Sequence, residues 1–130
     1  MSAGEKLIEL SNASWRVCRV KNAVTLCDRL LFALRGGSCG SDELRNALMV
    51  SKSNLAHLCI KAEKDGLIAK RADAADRRRI EYSVTPAGKK RIDAFAGALS
   101  GRVEKLFGNA EQTAEFAAAI DKVLESLSFL

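Results

Sequence analysis

SKSNLAHLCIKAEKDGLIAKRADAADRRRIEYSVTP, residues Ser51 to Pro86, changes its apolar period midway. Up to Gly66 the apolar residues Leu55, Leu58, Cys59 and Ala62 recur at i, i+3, i+4 and i+7, which predicts a helix with one buried face. Ser51 has the hydroxyl of an N-cap, and Gly66 stands where a helix commonly ends in a left-handed residue. Beyond Gly66 the period becomes two. Leu67 to Arg71 reads as one strand, Arg78 to Val84 as its return, and ADAADR between them as an exposed hairpin tip. Thr85-Pro86 then opens another helix, with a cap at Thr85 and proline at the first helical position.

Working outward, GGSCG at Gly36 to Gly40 cannot sustain a helix and reads as a loop. Ser41 is placed to cap a short helix whose first turn holds Asp42 and Glu43, and whose apolar face is Leu44, Ala47 and Leu48. That helix is expected to end near Val50. Two short helices joined by a tight turn, the second polar on its outer side, form a helix-turn-helix, and the hairpin after it is a wing. Glu5 to Leu34 reads as helix in two pieces broken near Lys21, with apolar stripes at Leu7, Leu10 and Ala13 and at Val24, Cys27, Leu30, Leu31 and Leu34. Downstream, one helix carries Ile92, Phe95, Leu99, Val103 and Leu106 up to Gly108, and a last one carries Phe116, Ile120, Val123, Leu124 and Leu127.

The expected class is mainly α with a small β-hairpin wing (α+β). It is a single domain over 1–130, in which helices 5–35 serve dimerisation and support, 41–91 forms a winged helix-turn-helix lobe and helices 92–130 serve dimerisation. At 130 residues one domain is the natural size. The apolar terminal helices must bury their stripes, either within the subunit or against a second copy, and a homodimer is the expected solution.

Charge narrows the function. From Ser41 to Arg91 there are 12 Lys/Arg against 7 Asp/Glu, a net +5, whereas the rest of the chain balances. A basic centre between neutral flanks fits an anionic partner, nucleic acid ahead of a membrane surface. No apolar run approaches a membrane span and no secretory h-region opens the sequence, so a cytoplasmic location is expected. One histidine, four cysteines without Cys-x-x-Cys spacing and no phosphate-cradling glycine loop leave nothing to carry catalysis, a cofactor or a metal.

A recognition helix lies in the major groove with its early residues at base edges. Ser51, Lys52, Ser53, Asn54, His57 and Lys61 supply suitable donors and acceptors there. At the wing, an arginine suits a narrow minor groove, where negative potential is concentrated. Asp76 is placed to hold the Arg78 guanidinium in a bidentate pair, and the remaining Arg77 and Arg79, with Lys70 and Arg71 on the partner strand, would serve phosphates.

The segment from Ser41 to Ile92 resembles the MarR family of bacterial transcription regulators. The similarity lies in LCIKAEKDGLI, the DRR of the wing with its Asp76-x-Arg78 pair, and SVTPAGKK. It implies a homodimer with intertwined terminal helices on a pseudo-palindromic operator, usually repressing, with Arg78 entering the minor groove. It also implies a small-molecule effector, unidentified here, in a pocket between the dimer helices and the DNA-binding lobe. Some relatives sense oxidants through a cysteine near the first helix. Cys18, beside Arg16 and Arg19, is the corresponding candidate redox sensor, since nearby cations favour a thiolate. The shortage of tyrosines to hydrogen-bond it, Tyr82 being the only one, favours a plain buried thiol instead. The alternative to a DNA-binding regulator is a winged-helix module that uses the basic wing on an acidic protein.

Overall fold

The computed structural model describes the backbone of residues 1–19 and 24–128, and the side chains of residues 1–14 and 24–128. Helix α1 (Ala3–Arg19) and helix α2 (Leu26–Leu34) precede strand β1 (Cys39–Gly40) and helix α3 (Ser41–Leu48). Helix α4 (Lys52–Lys64), strands β2 (Ile68–Ala72) and β3 (Ile80–Val84), and helices α5 (Pro86–Phe107) and α6 (Ala110–Leu127) complete the order. The break expected near Lys21 lies outside the described residues. The chain divides into two compact units, Met1–Asp93 and Ala94–Leu130.

In the first unit the core is built from one stripe of each element. Leu30, Leu31 and Leu34 of α2, Leu44 of α3, and Leu55, Cys59 and Ala62 of α4 are buried together with Leu67, Ile68, Tyr82 and Ile92. Asp28 is also buried, and it is fully engaged at the start of α2. Its Oδ2 accepts from the Thr25 N–H at 3.0 Å and from Thr25 Oγ1 at 2.8 Å, while Thr25 Oγ1 accepts from the Asp28 N–H at 3.1 Å. This reciprocal capping box satisfies orphan donors of the first turn.

Helix α4 is bounded as its sequence suggests. Ser51 Oγ accepts from the Asn54 N–H at 3.2 Å. At the other end Leu67 N–H donates to Ala62 C=O and Gly66 N–H to Glu63 C=O, with Gly66 at φ +75°. That is the paired-bond cap in which a left-handed glycine turns the chain out of a helix. It also moves the strand: Leu67 is occupied by the cap, so β2 begins at Ile68 rather than Leu67.

Further expectations are corrected. The GGSCG segment is not all loop, because Cys39 and Gly40 pair with Tyr82 and Glu81 to make a three-stranded sheet of order β1-β3-β2. Ser41 is therefore not an N-cap. Gly40, extended by that pairing, holds the cap position without a side-chain bond, and Ser41 is the first helical residue. Ala47 is exposed, which leaves Leu44 as the buried anchor of α3, and the helix stops at Leu48 because Met49 turns left-handed at φ 55°. The return strand starts at Ile80, since Arg77 to Arg79 belong to the hairpin turn.

Thr85 fastens the end of the wing to α5. Its hydroxyl donates to Gly66 C=O at 2.6 Å and accepts from the Gly88 N–H at 3.1 Å, while its own N–H donates to Leu67 C=O at 3.0 Å. In the second unit the rings of Phe107 and Phe116 pack at 4.9 Å between centroids, on either side of Gly108 at φ +75°.

Candidate nucleic-acid interface

Leu55, Cys59 and Ala62 anchor one side of α4 to the core, so helical geometry assigns the opposite ridge. That ridge carries Ser53, His57, Ile60 and Lys64, all exposed. Lys52 and Asn54 flank it and are exposed as well. Ser51 is exposed but occupied as the cap, its Oγ also lying 3.3 Å from Ser53 Oγ. Lys61 sits to the side of the ridge. It borders a cavity of about 330 Å³ that is also lined by Leu26, Cys27, Leu58, Asp65 and Arg91. Sequence reasoning missed Lys64 and Ile60, although counting eleven and seven residues on from Ser53 would have found them on the same face.

The wing is an antiparallel hairpin in which Lys70 faces Tyr82 and Arg71 faces Glu81. Successive strand residues leave opposite sides of a sheet, so Lys70 and Arg71 do not form one patch. Lys70 shares the side of buried Tyr82 and is itself exposed; Arg71 lies on the other side with Glu81.

At the tip, two aspartates shape the backbone. Asp73 Oδ1 accepts from the Ala75 N–H at 3.0 Å, and Asp76 Oδ1 accepts from the Arg78 N–H at 3.0 Å. Arg79 N–H donates to Asp76 C=O at 2.9 Å, and Asp73 N–H to Arg79 C=O at 2.8 Å. The expected bidentate pair between Asp76 and the Arg78 guanidinium is thus not what the structure contains. The carboxylate turns back onto the main chain, as aspartate does in tight turns, and holds the loop rather than the side chain. The ion pairs among the described residues are Arg35–Asp93, Arg45–Asp42 and Arg91–Asp28. Arg77, Arg78 and Arg79 take part in none of them and are exposed, so the tip presents three free guanidinium groups.

The thiols show no sign of activation where they are described. Burial pushes Cys27, Cys39 and Cys59 above the ordinary thiol value, and Tyr82 beside Cys59 is raised for the same reason. Cys18 falls on α1, but its side chain lies outside the described residues. Among the described residues no group of three or more His, Cys, Asp or Glu is placed to hold a metal ion, and no helix is long and apolar enough to cross a membrane.

No protein-family model matches the sequence, and no curated protein matches it significantly. Solved structures do. A cysteine-to-serine mutant of MarR from E. coli superposes with a TM-score of 0.74 at 16% identity, over 95% of this chain and 97% of that one. The transcriptional regulator BldR from Sulfolobus solfataricus gives 0.66 at 20% identity, over 97% of this chain and 99% of that one. MepR of S. aureus, in its complex with DNA, gives 0.61 at 20% identity, over 97% and 98%. Helix-turn-helix, three-stranded wing and flanking helices together make this chain a MarR-like winged helix-turn-helix fold.

Proposed function

We propose that this chain is a MarR-type transcription regulator that binds double-stranded DNA in a sequence-specific manner. In this reading it is a repressor acting as a homodimer on a pseudo-palindromic operator, with helix 51–65 in the major groove and wing 67–84 at the minor groove. The observation that carries the reading is the combination, within one compact unit, of an exposed polar ridge on α4 with a hairpin tip of three exposed arginines that form no ion pair among the described residues. A solvated turn has no need of three guanidinium groups; a phosphate backbone flanking a narrow minor groove uses them.

The dimer rests on apolar side chains that lie in water in a single chain. Leu7, Ile8 and Leu10 of α1, and Leu106, Phe116, Leu124 and Leu127 of α5 and α6, are each more than a third exposed. A second copy covers such surfaces at once, and its two-fold axis presents two recognition helices to an operator palindrome. A small-molecule effector, in the same reading, enters the cavity behind α4, where Lys61 and Arg91 offer cations to an anionic group.

Fluorescence anisotropy over a salt series tests the proposal, comparing duplex from upstream of the chain's own gene with a scrambled duplex. Specific affinity should exceed scrambled by about 10³-fold or more, and log affinity should fall steeply with log salt. Arg78→Ala should weaken binding and blunt A·T preference at the site edges. Asn54→Ala and His57→Ala should alter the preferred sequence, and Lys70→Ala should weaken all sequences alike and reduce the salt slope by about one unit. Absence of duplex binding even at low salt would remove the reading.

A further inference from the structure

The outward ridge of α4 carries one side chain that an electrostatic clamp on phosphates does not require. Ile60 is 66% exposed, the only large apolar side chain of this helix left in water. With Ser53, Ala56 and His57 it stands at i, i+3, i+4 and i+7, all four residues being exposed. That is the spacing with which a helix lying in the major groove presents successive side chains to base edges. Its next neighbours are Lys61 and Lys64, both exposed. An apolar protein partner would have to desolvate those two ammonium groups. Duplex DNA satisfies both demands, because the cations meet phosphates at the groove rim while the groove floor offers an apolar group, the C5-methyl of thymine.

We propose that Ile60 is a specificity-determining residue that packs against a thymine methyl in each operator half-site. The inference rests on the DNA-binding reading above and adds to it the identity of one base and the group by which it is read. Hydrogen-bonding residues early in α4 distinguish donor and acceptor patterns. Ile60 instead distinguishes thymine from cytosine by the methyl that cytosine lacks.

The test takes duplexes enriched from a random pool by the wild-type chain and replaces their thymines one at a time with deoxyuridine, which removes only the methyl. At one thymine per half-site this change should weaken wild-type binding roughly threefold to fivefold, the value of one buried methyl. Ile60→Ala should bind the parent duplex more weakly by a comparable factor and be indifferent to uracil at that position. Ile60→Val, which keeps part of the contact, should fall between wild type and Ile60→Ala and remain sensitive to uracil at that position. If no thymine is sensitive to demethylation, or if Ile60→Ala loses as much as wild type at the sensitive one, the assignment of Ile60 is wrong while DNA binding stands. If no duplex is enriched at all, the DNA-binding reading fails and the inference falls with it.

Discussion

Replacing Gly88 with alanine should damage this fold far more than the same change elsewhere on the same helix. Gly88 lies in the first turn of α5 and is buried. A Cβ built there collides with the carbonyl oxygen of Leu67 and lies 2.8 Å from Val84 Cγ2, inside the 3.0 Å that real Cβ contacts respect. Neither side yields easily. Leu67 C=O accepts the Thr85 N–H at 3.0 Å, and the Thr85 hydroxyl bonds Gly66 C=O at 2.6 Å, so moving α5 away breaks the clasp between helix and wing. Forcing a methyl into a filled site costs about 1–3 kcal/mol, and loosening one hydrogen bond adds roughly 1 kcal/mol. Alanine's better helix propensity returns less than about 1 kcal/mol. The net expectation is a loss of about 2–3 kcal/mol, or a fall of roughly 6–15 °C in Tm for a chain of this size. Gly97→Ala is the control, because that glycine is exposed with nothing within 4 Å of an added Cβ. It should stabilise by roughly 0.5–1 kcal/mol. Urea and thermal unfolding followed by circular dichroism measure both. Equal shifts for the two variants would refute the close approach of α5 to the wing.

Asp28→Ala removes the capping box of α2 and the partner of Arg91, whose Nη2 lies 3.8 Å from Asp28 Oδ1; urea unfolding should show a loss of about 1–2 kcal/mol, and Asp28→Asn, which keeps an acceptor for Thr25, a smaller one. Asp76→Ala makes the wing more positive, yet it removes the bond that holds the Arg78 backbone. Affinity for a selected duplex should therefore fall by roughly threefold to tenfold while Asp76→Asn stays near wild type; tighter binding by Asp76→Ala would show that charge outweighs loop order. Burial raises the Cys59 and Tyr82 acids above their ordinary values of 9.0 and 10.0, so the fold favours their protonated forms. Stability should be full below about pH 9 and decline as pH rises through the folded values, because the unfolded chain releases those protons first. Chemical denaturation from pH 7 to 11 checks the sign, and Cys59→Ala should flatten the first part of the decline.

Much of the fold is written in short-range chemistry. The Ser51 cap, the Gly66 turn and the Thr85 cap on the Gly88 N–H are closed by partners within five residues, and the apolar repeat of α4 lies within one helix, so they are legible in order along the chain. The localised positive charge is legible for the same reason, being a property of composition. Only the tertiary structure decided the rest. Cys39-Gly40 has no period of its own and becomes a strand because β3, some forty residues on, offers it free backbone groups. Asp76 bonds the backbone of Arg78 rather than its guanidinium, a choice between two nearby donors that the sequence leaves open and the loop geometry settles. Lys61 and Lys64 look alike as letters, but the core contacts of Leu55, Cys59 and Ala62 set the rotation of α4, sending Lys64 to the outer ridge and Lys61 to its side, exposed at the border of the cavity. Gly88 reads as an ordinary small residue in a helix start until packing brings the Leu67 carbonyl against it. Local patterns determine which elements form; the rotation and approach of those elements depend on contacts distant in sequence, and these decide which side chains are left facing a partner.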